Sequence, residues 1–263
     1  MDFLDILRRQ LRACEENIPH AVVTIVDGDG TTRTRGKMLV FADGRCVGTI
    51  GGGAVEQLAV RDAREALCTG AGGLYAYDLN TEAAARGLAC GGALRVFIEV
   101  FCGRPTLVMC GGGHVGMAVM PLARSVGFQV VLVDSRPAEA IVGAVALADR
   151  FVPVADFEAG LRGLDAAPGS YYVIAGPNHD CDGAALAAAL DKDAAYVGMI
   201  GGARKIDAIY AALREKGVPQ QALDRVHAPI GLDVAGERPE EIAVAIMAEV
   251  LMVRNKKPRP AGL

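Results

Sequence analysis

A chain of 263 residues exceeds what one domain usually needs and leaves room for two. With 52% hydrophobic and 22% charged residues it is expected to fold around packed cores, which excludes a disordered or fibrous chain, and 33 glycines imply many tight turns. A net charge of −4 provides no basic field, so nucleic acid and anionic membrane surfaces are not expected partners.

In chain order, Met1–Ile18 reads as an amphipathic helix, because acidic residues precede the basic ones and no uninterrupted apolar core of a secretory signal is present. Three strand-like runs follow between Ala21 and Ile50. They are broken by Asp27-Gly28-Asp29-Gly30 and Ala42-Asp43-Gly44-Arg45, turn sequences that join antiparallel neighbours. A helix over Val55–Gly70 and strands at Gly72–Leu79 and Ala93–Phe101 complete an α+β domain spanning residues 1–103, with Cys102–Pro105 as linker. Beyond it, strand-like runs at Thr106–Cys110, Gln129–Asp134, Arg150–Val154, Tyr171–Gly176 and Ala195–Ile200 alternate with helical segments, the signature of parallel βαβ units. The expected fold class is α/β: the α+β domain, then a Rossmann-like doubly wound parallel sheet over residues 104–263.

Two details of the helices bear on that expectation. Pro121 falls inside the helix after Cys110, where it removes a backbone hydrogen bond, so that helix is expected to kink or to stop short. The last helix, Arg238–Lys257, opens on Pro239, Glu240 and Glu241 and closes on cations, both matching the helix dipole. Its apolar stretch Ile242–Val253 contains Glu249 and is too short to span a bilayer. The basic tail Arg254–Pro260 reads as a solvated terminus. Seven cysteines (Cys14, Cys46, Cys68, Cys90, Cys102, Cys110, Cys181) include no C-x-x-C pair and lie mostly in apolar runs, where a reduced thiol behaves as a small hydrophobe; a reducing cytoplasm is the expected location.

The chemistry concentrates in glycine turns. Gly111, Gly113 and Gly116 form G-x-G-x-x-G between a strand and a helix, and Asp134 ends the next strand. In that pattern Gly111 makes the tight turn, Gly113 lets the backbone approach a pyrophosphate at the helix N-terminus, and Gly116 lets helix pack on strand. Asp134 is then expected to accept from an adenosine ribose hydroxyl, while Arg136 beside it can receive a 2′-phosphate, so NAD is favoured and NADP stays open. His114 sits within the loop. The turns Thr49–Gln57, with Gly51, Gly52 and Gly53, and Met199–Lys205, with Arg204 and Lys205, have the same strand–glycine–helix shape and offer two more anion sites. In Gly176–Gly183, His179, Asp180, Cys181 and Asp182 either supply metal ligands or an acid/base pair, or form a turn capping a helix that starts at Gly183; the turn is the stronger expectation.

The segments Thr49–Gln57, Gly87–Val100, Cys110–Gly116, Val130–Pro137, Tyr196–Lys205 and Arg225–Val250 resemble, in order and spacing, the xanthine dehydrogenase accessory factors of the XdhC/CoxI family. The resemblance covers nearly the whole chain. It implies a dimeric, cytoplasmic cofactor chaperone rather than a catalyst. Such a protein binds molybdenum cofactor (molybdopterin), holds it while a cysteine desulfurase supplies the terminal sulfur, and inserts it into an apo molybdenum hydroxylase. The family's first motif, Gly-Gly-Cys-x-Glu, reads here with Ala54 in the cysteine position and Glu56 kept, so no thiol acts there. Its Thr-His-Asp-His segment reads Asn178-His179-Asp180-Cys181. Cys90, followed by Gly91 and Gly92, matches the second family cysteine and is a candidate molybdenum ligand, since a soft thiolate suits a sulfur-rich centre. Two other functions stay open: an NAD(P)-dependent oxidoreductase with its substrate between the domains, and a nucleotide-sensing module.

Overall fold

The computed structural model describes residues 3–28, 36–78 and 93–257. The chain divides into two compact units, Met1–Gly103 and Arg104–Leu263.

The first unit runs α1 (Phe3–Glu15), β1 (His20–Gly28), β2 (Lys37–Phe41), β3 (Cys46–Thr49), α2 (Gly53–Thr69), β4 (Gly73–Asp78) and β5 (Ala93–Phe101). The strands form one antiparallel sheet in the order β3-β2-β1-β5-β4. Strict alternation along β5 buries Leu94, Val96 and Ile98 on one face, where Leu58, Ala59, Ala63 and Ala66 of α2 complete a core. Ile6 and Ala13 of α1 pack on Val22, Leu39 and Phe41 of the other face.

The second unit holds β6 (Thr106–Cys110), α3 (His114–Ser125), β7 (Gln129–Asp134), α4 (Val142–Val145), β8 (Arg150–Pro153), α5 (Phe157–Arg162), β9 (Ser170–Ile174), α6 (His179–Leu190), β10 (Ala194–Met199), α7 (Ala203–Glu215), α8 (Gln220–Leu223) and α9 (Pro239–Arg254). All five strands are parallel, in the order β10-β9-β6-β7-β8. Every residue of β6 and of β9 is buried, as expected when helices cover both faces. Val108 and Cys110 join the core beneath α5, α6 and α7, whereas Leu107 and Met109 join the core beneath α3 and α9. The sheet is therefore doubly wound, and chain order reverses between β6 and β9.

Of the two outcomes expected at Pro121, the helix does not stop short, because α3 continues through it to Ser125. Two other expectations are corrected. Helix α6 starts at His179 rather than Gly183, since the Asn178 side chain caps it by accepting from the Cys181 amide at 2.9 Å. Of the six described cysteines, all free thiols, only Cys110 is buried; Cys14, Cys46, Cys68 and Cys102 are exposed and Cys181 is partly so. Burial pushes the Cys110 thiol far above its ordinary range, which keeps it inert.

Candidate functional site

The carboxyl ends of β6 and β9 flank the reversal point of the second unit, where an open doubly wound sheet leaves a crevice. A cleft of about 440 Å³ opens there, walled by Gly111–His114, by Arg136, by Ala140–Ala144 and by Ala175–Pro177. The three motif glycines separate by physical cause. Gly111 has φ of +108°, and a Cβ on it would run into the Ala175 carbonyl oxygen; one on Gly116 would run into the Gly111 carbonyl oxygen. The fold itself requires both residues. Gly113 is different: its φ of −78° suits any residue, and a Cβ there would meet nothing within 4 Å. Neither backbone conformation nor packing demands glycine at 113, and the open space beside it is the cleft. No side chain caps α3, so its N-terminal dipole also faces that space, with exposed His114 at the rim.

Asp134 does not stand ready for a ribose hydroxyl. Its side chain is 1% exposed. One oxygen accepts from the Arg136 amide and Nε, each at 2.9 Å, and the other from the Gly112 amide and Arg136 Nη2, each at 2.7 Å. Burial opposes ionisation, but the Arg136 guanidinium and the Gly112 amide outweigh it and hold the carboxyl below its usual range.

The other two turns are closed on themselves. At Gly51–Gly53 all three glycines have positive φ, and the carboxylate of Glu56 folds back to accept from the Thr49 hydroxyl at 2.5 Å and the Ile50 and Gly52 amides at 3.2 and 3.1 Å. An internal anion thus fills the place foreseen for a phosphate. Glu56→Ala is expected to destabilise the first unit by about 1–2 kcal/mol, read as a lowered melting temperature. At Gly201–Lys205, the Lys205 ammonium pairs with fully buried Asp182, whose other oxygen accepts from the Gly176 amide at 2.6 Å. Lys205 therefore braces the Ala175–Pro177 wall of the cleft instead of binding a free anion, and Arg204 lies exposed beside it. His179 is exposed, while Asp182 is buried and already paired with Lys205 and the Gly176 amide. No group of three or more His, Cys, Asp or Glu side chains gathers for a metal among the described residues, which leaves His179 without companion ligands. Cys90, Gly91 and Gly92 lie outside the described residues.

Residues 107–250 match the XdhC Rossmann domain, and residues 13–78 match the XdhC and CoxI family. The chain is 35% identical over 257 residues to the uncharacterized protein YqeB of Escherichia coli K12, covering 97% of this chain and 47% of that protein. It is 27% identical over 161 residues to a probable xanthine dehydrogenase subunit of Bacillus subtilis 168, covering 61% of this chain and 46% of that one. The chain thus spans about half the length of these curated relatives. The crystal structure of a xanthine dehydrogenase from Bacillus halodurans has a similar fold, with a TM-score of 0.52 at 19% identity over 100% of this chain and 98% of that one. The chain belongs to the XdhC and CoxI family.

Its XdhC Rossmann domain contains a polar cluster that motif reading missed. Glu249, on the buried face of α9, accepts from the Tyr196 hydroxyl at 2.6 Å and the Gly231 amide at 3.0 Å, and its second oxygen lies 3.2 Å from Nδ1 of His227. The His227 ring rests on Tyr196, with centroids 4.5 Å apart. The His227 backbone donates to Val197 and accepts from Met199, which extends the sheet beyond β10. The available signal was a lone acid within an apolar helix, since buried charge requires partners. Among the described residues no helix is long and apolar enough to cross a membrane.

Proposed function

We propose that this XdhC and CoxI family chain is an accessory factor of a molybdenum hydroxylase such as xanthine dehydrogenase. It carries molybdenum cofactor as cargo, holds it while a cysteine desulfurase supplies the terminal sulfur, and passes it to the apo-enzyme, working as a homodimer. Family membership supports the maturation role. The observation that carries the binding role is Gly113, a glycine that the fold does not need, beside a cleft at the reversal point of the sheet. The exposed α3 N-terminus and the backbone of Gly113 would hold the pyrophosphate of NAD or NADP. Bound there, a nicotinamide dinucleotide supplies hydride chemistry in an oxidoreductase; in an accessory factor the same cleft serves recognition.

The test is to purify the chain from cells that make molybdenum cofactor and to measure molybdenum and pterin per chain. The preparation is then mixed with an apo molybdenum hydroxylase. Bound cofactor that restores hydroxylase activity is expected. Folded protein without molybdenum or pterin would refute the proposal, and steady reduction of NAD by a substrate would favour the oxidoreductase.

A further inference from the structure

We infer that the cleft selects a nucleotide whose adenosine ribose carries a 2′-phosphate, and that Arg136 is the selecting residue. The inference rests on the cleft being a nucleotide site. In a Rossmann unit, the acid at the end of the second strand discriminates by accepting from the ribose 2′-hydroxyl and repelling a phosphate. Asp134 occupies that position but does neither. A carboxylate has about four lone-pair sites, and here four donors occupy them: the Gly112 amide and the amide, Nε and Nη2 of Arg136. With its side chain 1% exposed, Asp134 has no acceptor left to offer a hydroxyl.

The same contacts convert a repelling site into an attracting one. Asp134 is neutralised by a guanidinium held in a planar fork, so little further ordering is needed when Arg136 engages a ligand. The Arg136 side chain is 44% exposed and lines the cleft. Its fork to Asp134 uses Nε and Nη2, and leaves the Nη1 hydrogens for an oxyanion. Hydrogen bonds from a guanidinium to phosphate are charge-assisted and stronger than those to a neutral hydroxyl. A ligand with phosphate at that position therefore gains contacts that its 2′-hydroxyl counterpart lacks.

The experiment compares 2′,5′-ADP with 5′-ADP by isothermal titration calorimetry on the full chain. Wild type is expected to bind 2′,5′-ADP about tenfold or more tightly than 5′-ADP, with the ratio shrinking as salt is raised. Arg136→Ala should bring the ratio to one or below, because it removes the donor and uncovers the Asp134 carboxylate. Arg136→Lys, which keeps charge without the fork, should fall between. Thermal melts control for folding; if the alanine variant does not fold, the wild-type ratio and the lysine variant decide. Saturable binding of both nucleotides at equal affinity, or an undiminished preference in the folded variants, overturns the selectivity and leaves the cleft standing. Binding of neither overturns the cleft as a nucleotide site and the selectivity with it.

Discussion

Glu249→Ala is expected to destabilise the Rossmann unit by about 3–5 kcal/mol, the range for removing one partner of a buried charged cluster. The substitution leaves the buried Tyr196 hydroxyl and Gly231 amide without their shared acceptor, at about 1–3 kcal/mol for each orphaned donor, and removes the carboxylate beside the partly exposed His227 ring. The midpoint of thermal unfolding should fall by about 10 °C. Acid should act through the same residue. Burial works against ionisation, but hydrogen bonds from His227, Tyr196 and Gly231 prevail and hold the carboxyl at about 2, against an ordinary value of 4.5. A depressed folded value means the stabilisation is complete above about pH 4.5 and is lost as pH falls towards 2, on the order of 3 kcal/mol across that window. Glu249→Gln keeps the shape and one acceptor, so it should cost less than alanine and flatten this part of the acid dependence. Melting curves between pH 2 and 7 on the three proteins are the check; an alanine variant within about 1 kcal/mol of wild type would remove the cluster from the account of stability.

Gly116→Val is expected to be as damaging for a different reason. The first side-chain atom would enter the Gly111 carbonyl oxygen, which belongs to backbone and cannot turn aside. Relief requires α3 to lift from β6, which opens the core of Leu107, Met109, Val119 and Met120. A cost of about 3 kcal/mol or more is expected, above the usual range for overpacking because the obstacle is main chain. Urea denaturation monitored by far-ultraviolet circular dichroism would show it as a lower midpoint, and a midpoint equal to wild type would show that α3 does not seat as described.

The second unit was legible because its signals are local. Buried parallel strands read as continuous apolar runs, and at the glycine loop such a run gives way to helical spacing. Gly111–Gly116 could therefore be placed between β6 and α3 from the chain alone. Partnerships across sequence were not legible. Asp134 and Arg136 stand two residues apart, and spacing does not say whether the arginine faces the acid or a ligand; only the folded turn brings its guanidinium onto both carboxylate oxygens. Lys205 looked like an anion binder because its partner, Asp182, is remote in sequence and buried by packing. Glu56 looked like part of a binding turn for a related reason: its carboxylate reaches the amides only after Gly51–Gly53 adopt positive φ. The exposed cysteines had the opposite problem, since apolar neighbours in sequence do not fix which face of an element a thiol takes.

The claim that the cleft beside Gly113 is a binding site, independent of the fold, is tested most directly by titrating NAD and NADP into wild type and Gly113→Val in a calorimeter. A branched side chain at 113 enters open space, so the variant should melt within about 1 kcal/mol of wild type. Saturable binding of a dinucleotide by wild type, with at least a hundredfold loss in the equally folded variant, is the predicted result. Equal affinity in the two proteins, or no binding by wild type, would contradict it.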